Sequence, residues 1–155
     1  MPLSSVTVAV VDFSIAMLLL LGMLIAQGLT PDWHILVLPA LLTHLLVLTL
    51  GTGVWMAALS VRYRDVRYVV PFLVQVGLYI SPVGYSSTIV PESWRFIFSF
   101  NPMVGVIDGF RWALLGGYGG FPLASCSLSA AIALITLISG VIYFRRIERS
   151  LIDTL

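Results

Sequence analysis

Long apolar runs separated by short polar breaks make up most of the chain. Four runs, at roughly 6–26, 33–59, 68–85 and 121–144, are each about long enough to cross a bilayer. A helix needs about 20 residues to span ~30 Å of hydrocarbon. Backbone groups in lipid must be hydrogen-bonded within their own segment, so each run predicts a helix. The pattern therefore predicts an all-α, polytopic transmembrane bundle of about four spans.

The segment between the third and fourth runs is too long for a turn and too apolar for a solvated loop. Pro82 and Gly84 break the third run near its outer end. Ser93 is placed to act as the N-cap of a short helix that follows Pro91. Two short helices between two spans predict a re-entrant pair on the outer face.

The second short helix has the clearest end signals in the chain. Asn101 is a favourable N-cap, and Pro102 is suited to the first helical position. The helix should run over 103–115 and end at the glycines at 116 and 117. Irregular backbone at membrane depth is tolerated only against protein or water. This segment is therefore predicted to line a pore or to form a gate.

The arginines predict how the spans are oriented. Six of the eight cations lie in two clusters, one between the second and third runs and one after the fourth: Arg62, Arg64, Arg67, Arg145, Arg146 and Arg149. The positive-inside rule places both clusters in the cytoplasm. The chain then crosses the membrane four times, with the segment 86–120 outside.

Composition supports a membrane environment and excludes several other classes. Hydrophobic residues make up 59% of the chain and charged residues 10%, with a mean hydropathy of +1.05. A net charge of +1 gives no basic field for nucleic acid. The single cysteine, Cys126, rules out an intrachain disulfide and a cysteine zinc site. We expect no cofactor, no metal and no catalytic residue.

Five blocks of sequence, in the same order and spacing, resemble the type-2 ABC transporter permeases. They are ALSVRYRDVRYVVPF at 58–72, SPVGY at 81–85, VPESWR at 90–95, NPM at 101–103 and GFRWALLG at 109–116. Within that family the chain is most similar to exporters of O-antigen, other polysaccharides and teichoic acid. The resemblance covers nearly the whole chain.

The resemblance implies a function and a set of partners. Two permease chains pair with two separate ATP-binding subunits, and a lipid-linked glycan crosses from the cytoplasmic leaflet outward. No glycine-rich nucleotide loop of the Walker type occurs in this sequence. ATP hydrolysis is therefore expected on the partner subunit, and the permease is expected in the plasma (inner) membrane among its lipids, as a homodimer.

The resemblance also implies how much of a permease this chain supplies. Family members have six spans, and residues 1–155 look like a single permease domain that contains the last four. We expect the amphipathic N-terminal helix, the first two spans and most of the cytoplasmic segment between spans two and three to be absent. In relatives, that segment is the main contact with the ATPase.

The first predicted site is the cytoplasmic cluster of charges between spans two and three. Its residues are Arg62, Tyr63, Arg64, Asp65 and Arg67, and Asp65 among arginines suggests a shaped ionic segment. The resemblance favours docking of the ATPase subunit. The alternative is an ordinary basic flank that holds anionic lipid headgroups.

The second predicted site is an outer gate formed by Asn101, Pro102, Asp108, Arg111 and Trp112. Asp108 and Arg111 lie three residues apart on the short helix, so they can pair on one face. Ionisable residues at membrane depth are functional candidates. The alternative is a neutralised pair that lets the helix rest in the interface.

The third predicted site is a substrate path lined by aromatic residues. Tyr79 and Tyr85 flank the break in the third span, and Trp94 follows it. These rings could stack on sugars along an export path. The more general alternative is the aromatic belt found at membrane interfaces.

Other functions were weighed against the permease. Phosphoryl transfer on lipids needs clustered carboxylates or a paired acid and base, whereas the seven acidic residues are scattered over both predicted membrane faces. A membrane-embedded phosphotransferase is therefore disfavoured. A truncated or non-catalytic assembly subunit, and a permease for a drug or a lipid, fit the same sequence.

Overall fold

The part of the chain that the structure describes is mostly helical. The computed structural model describes residues 2–29, 32–117 and 120–152, and the side chains from residue 7 to residue 149 within those ranges. Its α-helices are α1 (Pro2–Ala26), α2 (Leu38–Arg62), α3 (Val66–Ile80), α4 (Glu92–Ser99), α5 (Pro102–Leu114) and α6 (Leu123–Ile152). Short 3-10 helices cover Trp33–Val37 and Ser87–Ile89.

Three helices in these ranges are long and apolar enough to cross a membrane. The spans are Thr7–Ala26, Trp33–Arg62 and Leu123–Arg149. The third predicted run is shorter than expected, because α3 covers 15 residues and ends at Ile80 and not at Tyr85. At ~1.5 Å per residue it extends about 22 Å, which is short of the ~30 Å of hydrocarbon, and irregular backbone follows it.

The first short helix of the outer segment also begins earlier than predicted. Ser93 is not the N-cap, because α4 starts at Glu92 and Pro91 occupies the cap position with ψ of 146°. Proline fixes its own φ near the extended region, so the chain turns into the helix directly after it. The predicted start of the second short helix is confirmed, with Asn101 as N-cap and Pro102 in the first turn.

Helices α2 and α6 form the centre of the bundle and run parallel. Trp55 of α2 donates to Ser139 of α6 at 3.0 Å, and nearer the start of both helices His44 lies 3.1 Å from Ser129. Contacts thus advance in the same direction along both helices. The C-terminal ends of α2 and α6 therefore lie at one end of the bundle, which agrees with the prediction that both arginine clusters share a membrane side.

Small residues allow α2 and α6 to approach closely. A Cβ on Gly51 would lie 2.8 Å from the backbone nitrogen of Leu137, and one on Gly140 would lie 2.9 Å from the Trp55 ring. A Cβ on Gly53 would meet nothing within 4 Å, so of these two glycines of α2 only Gly51 serves close packing. Leu48 lies in the buried core beside this contact.

Helix α5 runs antiparallel to α2 and α6 and fits between them. Its N-terminal Pro102 lies beside Ser129, whereas Gly117, just after its C-terminus, lies beside His34 in the 3-10 helix that precedes α2. Ser129 is six residues into α6, which is about 9 Å from the helix start at ~1.5 Å per residue. The α4–α5 corner therefore lies below the outer ends of the long helices, as a re-entrant pair requires.

Helices α1 and α3 lie at the periphery. None of the 18-residue window of α1 is buried within the chain, and its Phe13 ring meets Phe110 of α5 edge-on at 5.6 Å. Helix α3 has no buried residue among those described and contacts α2. Both helices present apolar surface outward, as expected of helices that face lipid or other membrane segments.

Candidate functional site at the re-entrant helices

Helix α5 is held in the centre of the bundle by two glycines that face its neighbours. A Cβ on Gly105 would lie 2.6 Å from the Cβ of Ser129 and would overlap the carbonyl oxygen of Ser125. A Cβ on Gly109 would lie 2.7 Å from a methyl carbon of Leu41. Backbone of α6 leaves no room for a side chain at Gly105, whereas at Gly109 only the tip of the Leu41 side chain would have to shift. Helix α5 therefore contacts both long helices along its backbone.

A network of hydrogen bonds fixes the deep end of α5. The Asn101 side-chain oxygen accepts from the Met103 backbone nitrogen at 3.0 Å, and its nitrogen donates to Ser81 Oγ at 3.1 Å. The Ser129 hydroxyl donates to the Pro102 carbonyl. Having used its only proton, Ser129 accepts from His44 Nε2, which fixes the His44 tautomer. Asn101 and Pro102, both predicted gate residues, thus join α5 to three other segments.

Arg111, near the outer end of α5, holds the irregular segment that follows α3. Its guanidinium donates to the carbonyl oxygens of Pro82 at 3.0 Å and Tyr85 at 3.2 Å. Pro82 is fully buried. Carbonyl groups outside a helix carry a large cost at membrane depth unless a donor reaches them. Arg111 supplies that donor from a separate helix.

The predicted pairing of Asp108 with Arg111 is present. Arg111 Nη1 lies 3.5 Å from Asp108 Oδ1, and the Asp108 side chain is 14% exposed against 31% for Arg111. A half-buried guanidinium that also donates to two carbonyls is neutralised locally by this carboxylate. The two residues therefore form a polar unit with the segment after α3.

Trp112, the remaining predicted gate residue, belongs to an aromatic cluster at the outer end. Its ring meets His34 at 4.5 Å and Phe121 at 5.0 Å, both edge-on. Among the described residues, no acceptor reaches the buried Trp112 Nε1. The structure thus brings Asp108, Arg111 and Trp112 together at the outer end, and places Asn101 and Pro102 at the deep end of the same helix.

A groove of mostly apolar surface with a few polar side chains runs beside α5, on the side that faces α4. One part has a volume of about 550 Å³ and the adjoining part about 260 Å³. Both parts are lined by Ser87, Thr88, Asp108 and Pro122. Sequence analysis missed the hydroxyl groups of this groove, although three consecutive hydroxyl residues at 86–88 directly follow the break after the third run.

The predicted substrate-path aromatics lie apart from this groove. Tyr79 and Trp94 are 73% and 62% exposed. Tyr85 donates to the Ile80 carbonyl at 3.0 Å and its ring lies 6.3 Å from that of Phe98. Within the described residues none of the three lines either part of the groove, so their role on a path stays a prediction.

The predicted docking cluster forms a tight, exposed connection between α2 and α3. Helix α2 ends at Arg62, Tyr63 is extended with φ −127° and ψ 105°, and α3 begins at Val66. The Arg62 guanidinium lies 5.8 Å from the centre of the Tyr63 ring. Arg64, Asp65 and Arg67 are also exposed. Within the described ranges, no ion pair ties Asp65 to an arginine of the cluster.

The described residues hold no group of three or more histidine, cysteine or acidic side chains that could bind a metal.

Similarity to known protein families indicates what kind of protein this is. The model of the ABC-2 type transporter family matches residues 2–115, which is most of the chain. The chain belongs to this family. Helix α6 lies beyond the matched residues.

Relatives of this ABC-2 family member carry names that refer to export or, more generally, to transport. It is 31% identical to the O-antigen export system permease protein RfbA of Myxococcus xanthus, over 72% of this chain and 44% of the relative. It is 25% identical to RfbA of Klebsiella pneumoniae, over 75% of this chain and 45% of the relative. The inner membrane transport permease YadH of Escherichia coli is 31% identical over 55% of this chain and 32% of the relative.

The matches indicate how much of its relatives the chain corresponds to and in which membrane it lies. The chain spans less than half the length of the curated relatives that it matches. No solved structure matches it. The family, the three long apolar helices and the relatives together identify a multi-pass protein of the inner membrane.

Proposed function

We propose that this chain is a membrane-spanning permease subunit of an ATP-driven exporter that moves a lipid-linked polysaccharide or related glycan out of the cytoplasm. ATP is hydrolysed on a separate subunit, and a second permease copy completes the pathway. Family membership supports the exporter class, and two relatives named for O-antigen export support a glycan as the cargo. The chain itself has no catalytic role.

The observation that carries the proposal is the bonding of Arg111 to the carbonyls of Pro82 and Tyr85. These bonds join α5 to the irregular segment that follows α3. In the proposed cycle, α5 and this segment close the outer end of the pathway together. Opening it requires Arg111 to exchange these carbonyls for water or cargo.

The groove beside α5 supports passage of a polar cargo. Its hydroxyl groups, together with Asp108 and Arg95, offer hydrogen-bond partners in an otherwise apolar protein. Ionisable groups inside membrane proteins commonly mark substrate pathways. Movement of α4 against α5 and α6 changes the width of this groove, because residues of all three helices line it.

The connection between α2 and α3 supports docking of the ATP-binding subunit. Its exposed arginines and Asp65 form a short, shaped surface without internal ion pairs among the described residues. Charged surfaces of this kind favour specific and rapid association with a complementary partner. The end of α6 lies on the same side of the bundle and limits how a partner can approach.

The proposal is tested by co-expressing the permease with a separately encoded ATPase from the same genome and measuring both co-purification and export of labelled glycan. We expect the ATPase to co-purify and export to depend on ATP. Failure of the chain and of a longer version extended at its N-terminus to capture any ATPase would remove the exporter proposal. Export of a drug or a lipid in place of glycan would overturn only the proposal that the cargo is a glycan.

A further inference from the structure

Helix α6 presents two opposite faces with different chemistry. One face, which includes Leu137, Gly140 and Tyr143, packs on α2. At 100° per residue, Ile135, Ile138 and Ile142 lie about 180° away from that contact. Their exposed fractions of 66%, 59% and 49% agree with this placement. The far face of α6 is therefore an apolar stripe open to the membrane.

Three arginines continue this stripe at the C-terminal end of α6. Arg145, Arg146 and Arg149 follow Ile142 at helix positions i+3, i+4 and i+7, so all four side chains share one face. They line a cavity of about 210 Å³. No carboxylate in the described part of the chain lies within ion-pair distance of these guanidinium groups.

The arginines also lie at the depth of a lipid headgroup. From Leu123 to Ile142, α6 extends about 28 Å at ~1.5 Å per residue, which is close to the ~30 Å thickness of the hydrocarbon. Arg145 is the first charged residue of the helix. The change from isoleucine to arginine therefore falls where acyl chains end and phosphates begin.

We propose that the face formed by Ile135, Ile138, Ile142 and the three arginines, the α6 lipid stripe, binds an anionic phospholipid of the bilayer. The acyl chains lie along the isoleucines, and the phosphate is held by the guanidinium groups, which match phosphate geometry with two parallel hydrogen bonds. This site is independent of the proposed transport function. Its ligand is a resident lipid and not the cargo.

Native mass spectrometry of the 155-residue chain tests the site, with phosphatidylglycerol and phosphatidylcholine of identical acyl chains as probes. We expect phosphatidylglycerol to be retained in preference to phosphatidylcholine. Replacing all three arginines of the stripe by glutamine should remove that preference, with a loss of about fivefold for each charge. Replacing the three arginines by lysine keeps their charge, so this variant should retain part of the preference. It also serves as the control for misfolding.

The matched control is the triple glutamine variant at Arg62, Arg64 and Arg67, which removes the same charge from the same end of the bundle. It should lose less of the preference than the stripe variant, because Arg62, Arg64 and Arg67 lie on α2, α3 and their connection and not on one face of a single helix. Equal losses in both variants would overturn the proposal in favour of general electrostatic attraction. Equal retention of the two lipids by the unaltered chain would also overturn the proposal. A stripe variant that loses ATPase capture but retains the lipids unchanged would overturn it as well.

Discussion

The guanidinium of Arg111 donates to the carbonyl oxygen of Pro82 at 3.0 Å, across 29 residues of sequence. This bond joins the re-entrant helix α5 to the point where α3 stops being helical. It explains how α3 can be only 15 residues long in a membrane. The backbone after α3 is irregular, and a side chain from another helix donates to two of its carbonyl groups, those of Pro82 and Tyr85.

Replacing Arg111 by glutamine should reduce export at least tenfold and leave membrane insertion unchanged. Leaving buried carbonyls without donors costs about 1–3 kcal/mol each, which destabilises the closed outer segment. Export of labelled glycan and the amount of inserted protein are measured in the same cells. The control is Glu92→Gln, which breaks a comparable i,i+3 pair with Arg95 from an exposed side chain that does not line the groove. Equal export by both variants would leave Arg111 without a role in the gate.

Replacing Gly105 by alanine should destabilise the folded chain in detergent by about 1–3 kcal/mol, because the added methyl group overlaps the Ser125 carbonyl. Gly53→Ala is the matched control, because Gly53 also lies within a helix but has open space around it. It should stabilise the protein by about 1 kcal/mol through helix propensity alone. Thermal unfolding of the two variants should thus shift in opposite directions, and a similar shift in both would argue against close packing of α5.

Replacing Ser129 by alanine should cost about 1 kcal/mol, a typical value for a hydrogen bond between membrane helices. The substitution leaves both His44 Nε2 and the Pro102 carbonyl without this partner. Ser127→Ala is the control, since the Ser127 hydroxyl is exposed and bonds within its own helix. An equal loss of stability in the two variants, measured by denaturant unfolding, would contradict the hydrogen-bond network at the deep end of α5.

Cysteine labelling tests the orientation of the bundle. A cysteine at Arg64 should react with an impermeant reagent only from the cytoplasmic side, and one at Glu92 only from the outside. The native Cys126 is buried and donates to the Gly105 carbonyl at 3.1 Å, so background labelling should be low. Labelling of the position-64 cysteine from outside would reverse the orientation derived from the arginine clusters.

Local chemistry made the ends of α5 predictable. Asn101 and Pro102 determine its start through cap and dihedral preferences, and the glycines at 116 and 117 end it with φ of 75° and 76°. These signals act within a few residues, so the sequence contains them in full. The Asp108–Arg111 pair is local in the same way.

Contacts between distant segments determine the features of the fold that could not be predicted from the sequence. Pro82 predicts a break near the end of α3, and the end at Ile80 is also held by Tyr85, which donates to the Ile80 carbonyl, and by the bond between Asn101 and Ser81. No short window of sequence contains both partners of the second bond. The groove residues are likewise brought together by packing of α4 against α5 and α6, which explains why the polar residues Ser87 and Thr88 attracted no functional prediction.

A disulfide between α5 and α6 gives the most direct test of the outer gate. A Cβ at position 109 lies 3.4 Å from the native Cys126 sulfur, so Gly109→Cys should form this bond on oxidation after a small shift of the flexible Leu41 tip. Gly109→Cys combined with Cys126→Ser is the control that cannot cross-link.

The decisive measurement is glycan export by the Gly109→Cys permease, together with its ATPase, under oxidising and reducing conditions. If α5 must move to open the outer end, export should stop when the disulfide forms and recover on reduction, with no change in the control. Full export by a protein shown to carry the disulfide would contradict the assignment of α5 as the gate.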